Sequence, residues 1–361
     1  MTPTYNKVHN KFKLNNNNYS HQELKEVAYS FIKEGKPFEK SLGDFLIDWL
    51  DQKDYIKTRT SGTTGKPKTI KIKKQAMMYS AIATGNYFGL NPGDRALHCL
   101  PTQFIAGKMM LVRAIILGLQ VDVIEPKSLL QFSTKMHYDF CAMIPMQLQN
   151  NIKKINNIKK LIVGGAPISS LLLEQIQPLK TKIFATYGMT ETITHIAVKK
   201  LNNFDNFKSN SIEKSYYETL PDIDISQDER GCLVIEAPNL TNEKIITNDV
   251  VKLQSEITFE WLGRIDHVIN SGGIKLFPEL IEAKIAKHIP QRFFIASEKD
   301  ETLGERLILV IEAEAEENNL SVSVFNDLDT YETPKEIYVI PKFIETTSGK
   351  IQRLETLAAI K

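Results

Sequence analysis

From Tyr55 to about Lys182 the chain alternates short apolar runs with longer helix-compatible stretches, and this alternation restricts the fold more than any other feature. Runs of strand character fall at Tyr55–Arg59, Thr69–Ile72, Arg95–Leu100, Gln120–Ile124, Phe140–Ile144, Lys160–Val163 and Thr181–Ala185. Helices are expected at Lys74–Phe88, Lys108–Leu117, Pro145–Asn151 and Ser169–Gln177, with two more upstream at His21–Glu34 and Lys40–Asp51. A chain built this way covers a mostly parallel sheet with helices, an α/β layer structure. Ligands of such sheets bind beyond the carboxyl ends of the strands, so the loops that directly follow strands are where chemistry is expected.

The pattern then changes twice. Between Tyr216 and Trp261 short turn-bounded strands dominate, at Cys232–Glu236, Ile245–Thr247 and Ile257–Leu262. After Gly263 comes a strand, a helix at Pro278–His288, strands at Arg292–Ser297, Arg306–Glu312 and Lys335–Ile340, and a helix from Ile351 onward. The expected organisation is a large N-terminal domain over residues 1–263, layered α/β with a β-rich portion, and a small mobile α+β C-terminal domain over residues 264–361. The second unit has about one hundred residues, an ordinary domain size.

Composition removes several function classes. A net charge of +2 offers no footing for nucleic acid or an anionic membrane. The most apolar stretch, Met109–Leu119, is far short of the ~20 residues a membrane helix needs and holds Arg113, so it reads as a buried helix. Cys99, Cys141 and Cys232 are widely spaced and odd in number, and the leader lacks a continuous apolar core. A disulfide framework is therefore not expected, and a reducing, cytoplasmic setting is. The histidines form no HExxH or close pair, so no protein-held zinc site is expected.

Four loops carry chemical potential. Thr60-Ser61-Gly62-Thr63-Thr64-Gly65-Lys66-Pro67-Lys68 lies between two strand runs and sets four hydroxyls and two lysines around glycines that let backbone N–H groups approach an anion. It is a phosphate cradle but not a Walker A loop, because only two residues separate Gly62 from Gly65 and Pro67 follows Lys66. Tyr187-Gly188-Met189-Thr190-Glu191-Thr192 ends a strand run with a ring that can stack on a base and a carboxylate suited to Mg²⁺. Gly263-Arg264-Ile265-Asp266, continuing to Gly272-Gly273-Ile274-Lys275, supplies a guanidinium fork at the domain boundary and a side-chain-free loop. Thr346-Thr347-Ser348-Gly349-Lys350 presents a point charge for phosphate oxygens ahead of the last helix.

In this order the loops resemble those of the adenylate-forming superfamily of acyl-CoA synthetases, adenylation domains and luciferases. The likeness runs from about Tyr55 to the C-terminus. It implies that ATP phosphates lie against Thr60, Ser61, Gly62, Thr63, Thr64, Gly65, Lys66 and Lys68, with Mg²⁺ on Glu191 beside Thr190. Gly164-Gly165-Ala166-Pro167 resembles the loop beside the adenine, so Gly165, Ala166 and Pro167 join Tyr187, Gly188 and Met189 around AMP. Asp249, in Thr247-Asn248-Asp249 where the family has Thr-Gly-Asp, becomes the ribose ligand with Arg264. Asn tolerates the left-handed backbone that a glycine there suggests. Lys350 becomes the catalytic cation, Asp266 the hinge, and Gly272 and Gly273 the loop that meets coenzyme A.

Only about sixty residues precede the phosphate loop, where the family has a much longer region; short chains of this layout are similar to the o-succinylbenzoate–CoA ligases of menaquinone biosynthesis. Leu100 to Met109 occupies the place of the acyl-pocket motif but lacks its usual aromatic–histidine pair. A dicarboxylic acid needs a partner for its non-reacting carboxylate, and Lys108 is the candidate, with Arg113 behind it; the other reading leaves Lys108 in solvent at a helix start. The implied reaction joins a small carboxylic acid to CoA, with ATP spent to AMP and pyrophosphate. Other readings stay open: an aryl- or fatty-acid substrate, a carrier protein as acceptor, or nucleotide binding without turnover. Nothing in the sequence specifies an oligomeric state.

Overall fold

The computed structural model describes residues 4–59, 69–204, 215–314, 320–345 and 351–360. A short hairpin, β1 (Lys13–Leu14) and β2 (Asn17–Asn18), leads into the antiparallel helices α1 (His21–Glu34) and α2 (Pro37–Leu50). β3 (Tyr55–Arg59) and β4 (Thr69–Lys73) pair with one another, followed by α3 (Lys74–Phe88). The layered region continues as β5 (Arg95–His98), α4 (Ile105–Leu117), β6 (Gln120–Val123), β7 (Tyr138–Met143), α5 (Pro145–Asn151), β8 (Ile158–Val163), α6 (Ser170–Ile176) and β9 (Lys182–Gly188). Next come β10 (His195–Lys200), β11 (Tyr217–Thr219), β12 (Asp224–Gln227), β13 (Cys232–Glu236), β14 (Ile245–Leu253) and β15 (Thr258–Arg264). The last part holds β16 (Ile269–Ser271), β17 (Ile274–Leu276), α7 (Pro278–Ile285), β18 (Phe293–Asp300), β19 (Gly304–Glu312), β20 (Glu336–Ile340) and α8 (Arg353–Ala358).

One large sheet runs in the order β12-β13-β14-β15-β11-β10-β9-β8-β7-β5-β6-β1-β2 among the described residues. The stretch β9-β8-β7-β5-β6 is parallel, as the alternation of strands and helices predicts, and from β9 toward β12 the pairing is antiparallel. Side chains alternate across a strand, and here each face has its own core. Ala96, Phe140, Ala142 and Ile162 pack toward α1–α4, while Leu97, Cys141, Met143, Leu161 and Val163 pack toward α5 and α6. Two-sided burial explains why these strands read as continuous apolar runs rather than alternating ones. The carboxyl ends of β5, β7, β8 and β9 therefore share one edge, where the loops of interest emerge.

Residues from Ile269 onward form a second sheet, β17-β16-β19-β18, with β20 parallel to β19. Its core is separate, with Ile281 and Ile285 of α7 on one side and Phe294, Val310 and Phe343 on the other.

Several boundaries differ from expectation for identifiable reasons. α2 starts at Pro37 instead of Lys40, because Pro at the first turn needs no N–H partner and the Glu39 carboxylate accepts from Lys36 N at 2.7 Å. β10 was not expected as a strand. It follows a turn in which Ile193 takes φ +69, a rare conformation for a β-branched residue, so the motif before it reads as the start of a long loop. β14 runs on to Leu253, carrying Thr247-Asn248-Asp249 inside a strand at a register irregularity against β13. α4 has Gly107 to Ile115 buried, and no described helix is long and apolar enough to cross a membrane.

Candidate active site

Strand β9 delivers Tyr187 and Gly188 to the carboxyl edge, and the turn after it is tied down by Thr192. Met189 N donates to the Thr192 hydroxyl oxygen at 2.9 Å, and that hydroxyl lies 3.0 Å from the Met189 carbonyl and 2.8 Å from that of Thr194. Thr192 is fully buried, so this bonding holds the turn from within and leaves Glu191 exposed at its tip. Gly188 is needed for a different reason than a ligand's approach. A Cβ there would sit 2.3 Å from the Thr194 carbonyl oxygen and 2.6 Å from His195 Cα, so the glycine lets β10 close against β9.

The Tyr187 hydroxyl donates to Asp249 Oδ2 at 2.6 Å, joining the β9 motif to β14. The Tyr187 ring is enclosed by Phe259 at 5.2 Å and Tyr217 at 5.7 Å. Burial first, then the Asp249 charge, pushes the phenol far above its ordinary pKa, so it acts only as a donor. Asp249 itself is buried and its backbone N–H donates to the Thr247 hydroxyl at 3.1 Å. Across the β14–β15 pair Asp249 stands opposite Arg264, whose NH1 lies 3.8 Å from Asp249 Oδ1. The β9 strand end and the distant β14–β15 hairpin thus meet around one carboxylate. Gly165, Ala166 and Pro167 are exposed at the end of β8, with Gly165 at φ +89.

Arg264 turns its NH2 to Asp266 Oδ2 at 3.0 Å, just past the end of β15. On the other side of this segment Glu279, near the start of α7, is pinned by the His267 imidazole. Its second oxygen faces the Gly263 backbone, where a Cβ would come within 2.5 Å. Gly272 and Gly273, at φ +58 and +81, form the two-residue turn of the β16–β17 hairpin, and Gly272 N donates to the Leu303 carbonyl at 2.9 Å. The side-chain-free loop expected from sequence is thus a tight, specified turn.

Lys108 is not in solvent. It is buried under α2, donates to the Lys57 carbonyl at 3.2 Å and lies 6.0 Å from the Phe45 ring centre; burial lowers the pKa of its ammonium. Arg113, about two turns into α4, is 1% exposed and has no carboxylate in ion-pair reach among the described residues. Its Nε donates to the Thr84 hydroxyl oxygen at 3.3 Å, and NH2 lies 3.5 Å from both the Thr194 hydroxyl and His195 Nδ1. Thr84 spends its proton on the Ser80 carbonyl at 2.9 Å, so the 3.5 Å contact with His195 Nε2 places the imidazole proton on Nε2. Nδ1 is then an acceptor for Arg113, and burial together with the Arg113 charge keeps His195 neutral. Since His195 pairs with Gly188 across the sheet, this cationic cluster sits directly beneath the Tyr187–Glu191 turn. Thr192 closes the sequence motif but carries no role there, and His195 lies three residues beyond it, outside every motif.

Thr60–Lys68 and Lys350 lie outside the described residues; the flanking positions Arg59 and Thr69 are cross-strand partners. Glu191 is exposed and engages no other described side chain, and no trio of His, Cys, Asp or Glu is assembled for a metal among the described residues. That arrangement suits Mg²⁺ arriving with phosphate oxygens that complete its shell, rather than a protein-only cage.

Residues 54–241 match the model of the AMP-binding enzyme family. The chain is 26% identical over 353 residues to a 2-succinylbenzoate–CoA ligase of Listeria monocytogenes, covering 91% of this chain and 74% of the relative. Among solved structures it is similar to an AMP-forming acyl-CoA synthetase/AMP-acid ligase II-like protein from Dyadobacter fermentans, with 35% identity, TM-score 0.61, and coverage of 93% and 98% of the two chains. It also shares its fold with the Bacillus subtilis o-succinylbenzoate coenzyme A synthetase in complex with ATP and magnesium, at TM-score 0.67 and 20% identity over 93% of this chain and 82% of the other.

Proposed function

We propose that this chain, which belongs to the AMP-binding enzyme family, is a cytoplasmic AMP-forming ligase that joins o-succinylbenzoate to coenzyme A in menaquinone synthesis. The observation that carries adenylate formation is the Tyr187–Asp249–Arg264 junction at the carboxyl edge of the parallel strands. A buried carboxylate held by a phenol and faced by a guanidinium is suited to the vicinal hydroxyls of a ribose. Arg113 supports the dicarboxylic substrate: a fully buried guanidinium without an anionic partner among the described residues is a ready partner for a second carboxylate.

In the first half-reaction a carboxylate oxygen of the acid attacks the α-phosphorus of ATP, and the bond to the bridging oxygen breaks to release pyrophosphate. Positioning and charge neutralisation supply most of such catalysis. We assign the β- and γ-phosphates to Thr60–Lys68 and the ribose to Asp249 and Arg264. Tyr187, Met189 and the Gly165–Pro167 loop take the adenine side. Mg²⁺ on Glu191 would neutralise phosphate charge, and Lys350 would bridge the attacking carboxylate and the α-phosphate. The domain 264–361 then swings about Asp266 between two discrete arrangements, carrying Lys350 away and bringing Gly272 and Gly273 to the pantetheine arm. The CoA sulfur attacks the acyl carbonyl carbon and AMP leaves.

The test is pyrophosphate release with ATP over a panel of succinylbenzoyl, aryl and fatty acids, repeated with CoA and with a holo-carrier protein. AMP and pyrophosphate must appear only with an acid present, and o-succinylbenzoate must be preferred. Lys350→Ala is expected to lose adenylation yet still turn a supplied acyl-adenylate into thioester. Equal loss of both halves refutes the domain swing, and ADP as product refutes the ligase.

A further inference from the structure

Where the family pattern has glycine, this chain has Asn248, and the backbone there makes no demand for one. Asn248 is not among the residues with positive φ, so a side chain is accommodated without strain. That side chain spans two charged groups. Its Oδ1 accepts from Arg230 NH1 at 3.2 Å, and its Nδ2 donates to Asp266 Oδ2 at 3.5 Å. Arg230 is itself anchored: Nε donates to Asp228 Oδ2 at 2.8 Å, and NH2 reaches the Thr247 carbonyl at 3.1 Å. Asp228 is fixed in turn by the backbone N–H groups of Arg230 and Cys232, each at 2.9 Å. On the far side Asp266 shares its Oδ2 with Arg264, which faces Asp249. An unbroken polar chain therefore runs from the turn before β13, across β14, to the segment that joins the two sheets. Asn248 is the one link that a glycine would delete.

We infer that Asn248 is a positioning residue that tethers Asp266 to the β13–β14 hairpin and so biases the swing of the C-terminal unit. The inference rests on the ligase reading in one respect, that Asp266 is the pivot. A pivot residue cannot rotate its backbone and keep a side-chain bond to a strand that stays still. The tether therefore favours the arrangement in which Asp266 lies beside β14, at the expense of the other. A hydrogen bond to a charged group that is half in solvent shifts such a two-state balance by roughly three- to tenfold.

Asn248→Gly and Asn248→Asp in the full chain test this, the second keeping an acceptor for Arg230 while repelling Asp266. Acid-dependent ATP–pyrophosphate exchange and CoA-dependent consumption of a supplied acyl-adenylate are measured separately. Both variants are expected to change the ratio of the two rates by roughly threefold or more in the same direction, with the KM for ATP close to wild type. An unchanged ratio, equal slowing of both steps, or a rise in ATP KM alone overturns the tether and leaves the ligase reading standing. Failure of the ligase reading shows separately, as wild-type protein without exchange for any acid. A readout independent of turnover is the spin-label distance between positions 171 on α6 and 287 after α7, elements already in contact through Ser170 Oγ and the Ala283 carbonyl at 3.4 Å. Its distribution should broaden or shift in both variants, and an identical distribution in all three proteins also overturns the proposal.

Discussion

Replacing Arg113 by methionine separates a substrate-binding guanidinium from a structural one, because the two roles predict opposite changes in stability. Arg113 is 1% exposed, and burial pushes its pKa down to about 9, so it still carries its charge at neutral pH. Its partners are two hydroxyls and one neutral imidazole at 3.3 to 3.5 Å, none of them an anion. The desolvation of that charge is therefore poorly offset in the free protein. An apolar side chain of similar length in such a place is neutral or stabilising by about 1–4 kcal/mol. With a dicarboxylic acid bound, the same substitution strands a buried carboxylate, which costs about 3–5 kcal/mol. At 1.36 kcal/mol per tenfold, kcat/KM for o-succinylbenzoate should drop by roughly 10²- to 10⁴-fold, while a monocarboxylic aryl acid is little affected. The assay pairs steady-state kinetics on both acids with melting curves in the absence of ligands. Arg113→Met that melts well below wild type while keeping its kcat/KM for the dicarboxylic acid would show that the guanidinium serves the fold, and the substrate argument would fall.

Two further outcomes follow from single contacts. Tyr187→Phe removes the 2.6 Å bond to the buried Asp249 carboxylate and leaves the ring packing intact, so the KM for ATP should rise roughly tenfold and stability fall by about 1–3 kcal/mol; unaltered nucleotide KM means Asp249 does not hold the ribose. His98, buried at the end of β5 with Nδ1 unpartnered among the described residues, has its pKa pushed by burial from 6.5 to about 4. Between those values the unfolded chain binds more protons than the folded one, so stability is lost as pH falls from 6.5 toward 4, by about 2 kcal/mol at pH 5. Urea midpoints at pH 7 and pH 5 measure it, and the same pH slope in His98→Leu refutes the assignment.

The layered fold was legible because burial on both faces makes the strands β5, β7, β8 and β9 predominantly apolar, and the intervening helices show in the spacing. The motif loops were legible for a related reason: glycines, hydroxyls and charges cluster where backbone must meet a polar ligand. Contacts made by a fold's third dimension left weaker marks. Arg113 was visible only as a charge interrupting an apolar helix, and nothing in the spacing tells that Thr84 and His195 close around it. Gly188 read as a place for a ligand to approach, whereas the close neighbour is the protein's own strand β10.

Asn248 shows the same limit from the other side. Read against the family pattern, it is a missing glycine, a loss to be tolerated. In the fold its backbone is ordinary and its amide links Arg230 to Asp266. A departure from a motif is therefore ambiguous in sequence, since the pattern records what relatives need and not what a new side chain can reach. The decision between loss and gain comes from the neighbours, and here both are charged, oriented and on opposite sides of the proposed pivot. That is why the half-reaction ratio, rather than overall activity, is the quantity on which this residue should be judged.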